Sequence, residues 1–260
     1  MSNTAEKTLA LRNVISKTGA LENYARAPLG ADATDACLQG GLRRGTLHEV
    51  FAQASHEVAA TGFAAALAFR AAVKKHVLWI RQDFSAVEFG ELAATGLLEL
   101  GLDPEQFLLL RVADVESVLR AASDALSCAA LGAVVMEIPG EPKALDLVLS
   151  RRLTLASAQK GVTAFLLRFA AKPEASAAET RWLVRAAHSE EKENWGQPAF
   201  RADLLRNRHG SLGHWVMEWN CDDGLFREAA ADSRIVVSAS CNRQIATAME
   251  SATRNARRVA

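Results

Sequence analysis

No Gly-Lys pair occurs anywhere in the 260 residues of the chain. A phosphate-binding loop of the Gly-x4-Gly-Lys-Ser/Thr type needs one. Its glycines let backbone N–H groups wrap the β-phosphate, the Lys neutralises charge, and the hydroxyl holds Mg²⁺. ATP hydrolysis by that machinery is therefore not expected. Net charge is missing too, because 30 Lys and Arg balance 30 Asp and Glu. No global field draws the chain to nucleic acid or to a membrane, so any DNA contact must come from a local patch. The four cysteines, Cys37, Cys128, Cys221 and Cys241, form no Cys-x-x-Cys pair. That excludes the usual zinc and disulfide frameworks and suits a reducing cytoplasm. The six histidines show no His-x3-His or His-Glu-x-x-His spacing, so neither a metal nor a cofactor is expected. No Gly-x-Ser-x-Gly elbow is present. No apolar run approaches the ~18 residues of a membrane span, and the charged first twenty residues lack the apolar core of a secretion signal.

What is present is alanine and short apolar runs. Half of the residues are apolar, enough for one sizeable core. From residue 46 onward, strands are predicted over 46–52, 77–81, 107–112, 133–138 and 162–168. Helices are predicted between them, over 58–73, 86–100, 115–129 and 143–159. Within 115–129, Val115, Val118, Leu119, Ala122 and Leu126 recur at the spacing of one buried helix face, and Cys128 on that pattern reads as a buried thiol. Continuous apolar strands alternating with helices specify a parallel sheet covered on both faces. After residue 180 strands over 181–187, 200–207 and 213–219 follow one another without helices, the last two joined by the turn Arg208-His209-Gly210-Ser211. They read as an antiparallel extension. Three regions result: an N-terminal helix and connector (1–39), an α/β core (40–222) and a flexible Arg/Ala/Ser-rich tail (223–260).

Candidate functional residues follow from this order. The loop between the first core strand and the first core helix is Gln53-Ala54-Ser55-His56-Glu57. It stands where a phosphate loop would, but Glu57 repels phosphate and the nearest remnants, Thr61 and Gly62, lie a turn into the helix. Asp83 and Glu137 sit at carboxyl ends of strands, the positions that line the functional crevice of open α/β sheets. A partly buried acid paired with an arginine fits the same positions. Arg151, Arg152, Arg168, Lys172 and Arg181 form a basic series around the fifth strand and the small-residue loop 169–180. With Trp182 beside it, the series suits single-stranded nucleic acid, and a solvated rim of ion pairs fits it equally. Arg254, Arg257 and Arg258 make the tail a candidate partner-binding segment. Trp215 and Trp219, four apart on a strand, share one face.

The strings Gly-Gly-Leu-x-x-Gly-x-Leu-His-Glu-Val (40–50), Thr61-Gly62-Phe63, Gly101-Leu102-Asp103-Pro104, Ser150-Arg151-Arg152-Leu153, Ser176-Ala177-Ala178-Glu179-Thr180-Arg181-Trp182 and Leu205-Arg206-Asn207-Arg208 resemble the ImuA family. These are RecA-like proteins of bacterial SOS mutagenesis cassettes, and the likeness covers roughly residues 8–222. The resemblance implies an α/β, RecA-like P-loop NTPase-type parallel sheet flanked by helices, with C-terminal antiparallel strands and a degenerate phosphate loop. It implies a non-enzymatic, cytoplasmic and nucleoid-associated role in translesion synthesis. The implied partners are ImuB, an inert Y-family polymerase homologue, and an error-prone polymerase, with single-stranded DNA or RecA as further candidates and no membrane. Two other readings stand beside it: an SOS cell-division inhibitor of the SulA type, and an active RecA-like ATPase.

Overall fold

A computed structural model describes residues 25–189 and 196–229. Its frame is a nine-stranded sheet. The strands are β3 (Leu47–Ala52), β4 (His76–Gln82), β5 (Phe107–Val112), β6 (Leu131–Glu137), β7 (Thr163–Phe169), β8 (Thr180–Ala186), β9 (Ala199–Asn207), β10 (Gly213–Asn220) and β11 (Leu225–Glu228). A small ribbon of β1 (Arg26–Ala27) and β2 (Leu42–Arg43) precedes them. The sheet order is β11-β10-β9-β8-β3-β7-β6-β4-β5. From β8 to β5 all neighbours are parallel, and β9, β10 and β11 close the other end antiparallel. The strand expected as the start of the antiparallel extension is therefore also the last member of the parallel set. β8 pairs parallel with β3 on one side and antiparallel with β9 on the other.

Two cores lie on opposite faces, because side chains alternate along each strand. Ala133 and Val135 of β6 join one core, and Val134 and Met136 the other. The first face carries α2 (Glu57–Ala72), whose buried side includes Ala60, Ala64, Ala68 and Ala71. Small side chains let it lie close on the strands, and closest at Gly132, where a Cβ would fall 2.5 Å from the Ala72 Cα. The second face carries α5 (Val115–Ala125) and α6 (Leu147–Lys160) through Val118, Leu119 and Leu153. Both helices start on an acid. Asp114 accepts from the Ser117 N–H at 2.8 Å and Asp146 from the Leu149 N–H at 2.7 Å, satisfying donors that a helix start leaves open. A short helix, α1 (Asp32–Cys37), lies against β10.

Several expectations need correction. The helix over 86–100 is two helices, α3 (Asp83–Phe89) and α4 (Ala94–Glu99), broken at Gly90 with φ +82°. Gly90 adopts a backbone that other residues resist, and its carbonyl accepts from Arg81 at 2.9 Å. Cys128 is exposed, since α5 ends at Ala125 and the thiol lies in the turn after it. The sheet runs on past residue 222, for β11 occupies the start of the segment read as tail. The rest of that segment, with Arg254, Arg257 and Arg258, lies outside the described residues, as does most of the helix expected over 6–25. Trp215 and Trp219 do share the core side: Trp215 meets Trp182 at 6.1 Å between ring centroids and Trp219 meets Phe226 at 4.9 Å.

Candidate functional site

The junction between β3 and α2 is a closed turn. The His56 N–H donates to the Gln53 carbonyl at 3.1 Å, and Ser55 takes φ +74° to make the bend. A phosphate cradle needs successive N–H groups aimed at one point, and here one of them is spent inside the turn. The His56 ring is held in turn, its Nδ1 accepting from the Ala186 N–H at 3.3 Å. Gln53 and Ser55 are exposed, and Glu57 opens the helix. Thr61 donates its hydroxyl to the Glu57 carbonyl at 2.9 Å. Gly62 faces the Phe200 ring, where a Cβ would meet it at 3.6 Å. Thr61 and Gly62 thus serve the helix and its packing.

Glu137 ends β6 and is buried beneath the same face. Its Oε1 accepts from the Arg81 guanidinium at 2.8 Å and its Oε2 from the Trp79 indole at 3.0 Å. The Arg81 and Glu137 side chains are 3% and 2% exposed. β4 and β6 are paired so that Arg81 stands opposite Glu137; the strand register makes the ion pair. Asp83, two residues further along, is exposed at the start of α3. The two acids therefore differ in kind: one is neutralised inside the protein, the other faces water.

The basic series divides the same way. Arg168 donates to the Ile138 and Gly140 carbonyls at 3.1 and 2.6 Å. Arg181 donates to Glu49 at 2.7 Å and to the Ser176 hydroxyl at 3.0 Å. Both guanidinium groups lie over the Phe51 ring, at 5.7 and 5.6 Å, a favourable cation–π geometry. Burial holds the Arg168 guanidinium below its usual range, against the upward pull of Glu49, Glu174 and Glu141. Arg151, Arg152 and Lys172 are exposed instead. The series is thus an internal clamp of two arginines and an outer group of three cations.

The string Ser176–Trp182 is what the clamp closes on. The Ala177 N–H donates to the Ser150 hydroxyl of α6 at 2.9 Å, and the Glu179 N–H to the Leu47 carbonyl at 2.8 Å. The Glu179 carboxylate takes His209 at 2.6 Å and Arg43 at 3.5 Å. Thr180 lies between Trp182, whose indole donates to it at 2.9 Å, and His48 at 2.7 Å. The other His48 nitrogen stands 2.7 Å from the Arg43 carbonyl. A carbonyl only accepts, so the proton is on Nε2 and His48 Nδ1 accepts from Thr180. The string therefore ties β3, β8, α6 and the β9–β10 turn together. His48, Glu49, Arg81 and Glu179 carry these contacts, and none was singled out from sequence. Their only advance signal is a charged or polar residue inside or beside an apolar strand.

Burial pushes His48 down to about 4, although the Arg43 carbonyl and Glu179 pull it upward. Its ordinary value is about 6.5. Between pH 6.5 and 4 the unfolded chain binds a proton there and the folded chain does not, so stability falls as pH falls through that window. The shift corresponds to at most about 3 kcal/mol, fully lost below pH 4. Urea unfolding of wild type and His48→Gln across pH 4 to 7 checks it. The wild type should lose more stability on acidification, and parallel curves would remove His48 as the cause.

Among the described residues no three His, Cys, Asp or Glu side chains lie together as a metal site, and no helix is long and apolar enough to cross a membrane. A parallel sheet in this order, with a strand–turn–helix junction at β3 and an antiparallel flank, defines a RecA-type core. No protein-family model matches the chain. In solved structures the chain resembles a KaiC-like protein of Pyrococcus horikoshii, with a TM-score of 0.53, 15% identity, and 80% of this chain and 100% of that one covered. That likeness is one of fold. In sequence the chain is 29% identical over 208 residues to Protein ImuA from two strains of Caulobacter vibrioides, covering 73% of this chain and 81% of each relative. The chain belongs to the ImuA family.

Proposed function

We propose that this chain is a non-enzymatic assembly factor of damage-induced translesion synthesis, joining ImuB and an error-prone polymerase on a RecA core that no longer turns over nucleotide. The observation that carries this reading is the closed turn at residues 53–56, bonded on itself and followed by Glu57 where a phosphate loop would offer glycines and a Lys. Glu137 adds to it, because a carboxylate already committed to Arg81 and Trp79 has no lone pairs left over for a metal-bound water. The kinship with ImuA supplies the biological setting. The core, from β1 to β11, is the rigid platform, and the Arg-rich segment with Arg254, Arg257 and Arg258 is a contact for partners. Single-stranded DNA is assigned to the exposed Arg151, Arg152 and Lys172, since Arg168 and Arg181 are occupied inside. We place the protein in the cytoplasm, at the nucleoid.

One set of measurements on the purified chain tests the reading. Immobilised protein should capture ImuB, and labelled ATP should show no turnover above background. Turnover that Glu137→Gln abolishes would establish an enzyme and overturn the proposal. Failure to capture ImuB would remove the assembly role.

A further inference from the structure

The two edges of the sheet are finished differently. The outer edge of β11 is covered: the Phe226 N–H donates to the Leu29 carbonyl at 2.8 Å, and Glu228 accepts from the Ala33 N–H at 2.8 Å. The other edge is β5, Phe107-Leu108-Leu109-Leu110-Arg111-Val112. Among the described residues no backbone hydrogen bond reaches its outer side. Leu108, Leu109 and Leu110 are 47%, 40% and 37% exposed. Successive residues point to opposite faces, so leucine is presented on both sides of the edge. Proteins usually blunt such an edge with Lys, Pro, a bulge or a covering segment. β5 carries neither Lys nor Pro, and its one charge, Arg111, is paired with Glu91, both about half exposed. The row of unpaired N–H and C=O groups with apolar flanks is the surface that an added strand recognises.

The chain itself contains a matching donor. Residues 234–238 read Arg-Ile-Val-Val-Ser, three β-branched side chains in a row, in the segment that follows β11. They lie outside the described residues. They cannot reach the β5 edge of their own molecule. That edge is eight strand spacings from β11, about 38 Å along the sheet, and helices cover both faces between. From Glu228 to Ile235 a fully extended chain spans at most about 25 Å. The partner must be another copy. Charge favours an antiparallel approach, which brings Asp232 and Arg234 to the end of β5 where Arg111 and Glu91 stand.

We propose that residues 234–238 of one copy add as an antiparallel strand to the open edge of β5 in a second copy. The contact is head-to-tail: each molecule offers one donor and one acceptor, so the assembly grows beyond a dimer unless it closes into a ring.

Light scattering of the full-length chain over a concentration series tests this. The wild-type mass should rise with concentration past that of a dimer. Leu109→Lys, which charges the acceptor edge, and Val236→Pro, which removes a donor N–H and breaks the strand, should each remain monomeric. An equimolar mixture of the two variants should then form a 1:1 pair and stop. The Leu109→Lys chain still has a donor and the Val236→Pro chain still has an edge. Restored pairing also shows that both variants are folded. A wild type that stays monomeric at the highest attainable concentration overturns the proposal. So does a Val236→Pro variant that associates as wild type does, which would mean β5 pairing with β5. Two monomeric variants that fail to pair on mixing overturn it as well.

Discussion

Arg81→Met should lower the unfolding free energy by about 3–5 kcal/mol, the cost of leaving one member of a buried ion pair alone. The guanidinium bonds both Glu137 and the Gly90 carbonyl. Without it the Glu137 carboxylate keeps only the Trp79 indole as a donor, in a site where the acid side chain is 2% exposed. The Gly90 carbonyl loses its partner as well, so the break between α3 and α4 should loosen. The double variant Arg81→Met/Glu137→Leu should recover most of the loss, because a well-packed apolar pair replaces a buried ion pair at little net cost. Urea unfolding of the three proteins measures this. A loss below about 1 kcal/mol for Arg81→Met, in the range of an exposed pair, would mean that the carboxylate is neutralised in some other way. The result bears on function too. If Glu137 is held as a structural acid, its position at the carboxyl end of β6 is inherited from the fold rather than used for chemistry.

Trp182→Ala should cost about as much, 3–5 kcal/mol, by removing a large ring from a packed core. Trp182 is fully buried and meets Phe63 and Trp215 at 5.7 and 6.1 Å between centroids. It also anchors a chain of donors: its indole bonds Thr180, Thr180 bonds His48, and His48 bonds the Arg43 carbonyl. Trp182→Phe separates the two roles. It keeps most of the apolar volume while deleting the indole N–H, and should cost on the order of 1 kcal/mol from the hydrogen bond plus a small cavity term. Unfolding midpoints at pH 7 for both variants give the comparison. Equal losses for Phe and Ala would put the stabilisation in the hydrogen bond rather than the ring.

Much of the fold was legible in the chain because its signals are local. Strand–helix alternation from residue 46 is a matter of periodicity, and the parallel strands fall where their apolar runs are. The Val115–Leu126 stripe is the buried side of α5, with Val118, Leu119 and Ala122 inside. The missing phosphate loop was equally readable, because it depends on residue types in one short stretch. Where periodicity was the wrong guide, backbone conformation was the reason. A positive φ at Gly90 broke a helix whose apolar spacing continued across it.

The site was read less well, because its partners are distant in sequence. Arg181 and Glu49 are 132 residues apart, and Arg81 and Glu137 are 56 apart. The basic series looked uniform along the chain. Strand order put Arg168 and Arg181 inside over Phe51, while Arg151, Arg152 and Lys172 face water. The three leucines of β5 read as an ordinary core strand, since a continuous apolar run is what a central parallel strand shows. Nothing in their types reveals that β5 is last in the sheet.

The sequence by itself determined the order of strands and helices, the kinship with ImuA and the loss of the nucleotide loop, because residue identity and short-range spacing carry all three. Only the tertiary structure decided which charges are neutralised and which edge of the sheet stays open. Those properties belong to pairs of strands brought side by side from opposite parts of the chain, and no local pattern encodes which strands become neighbours.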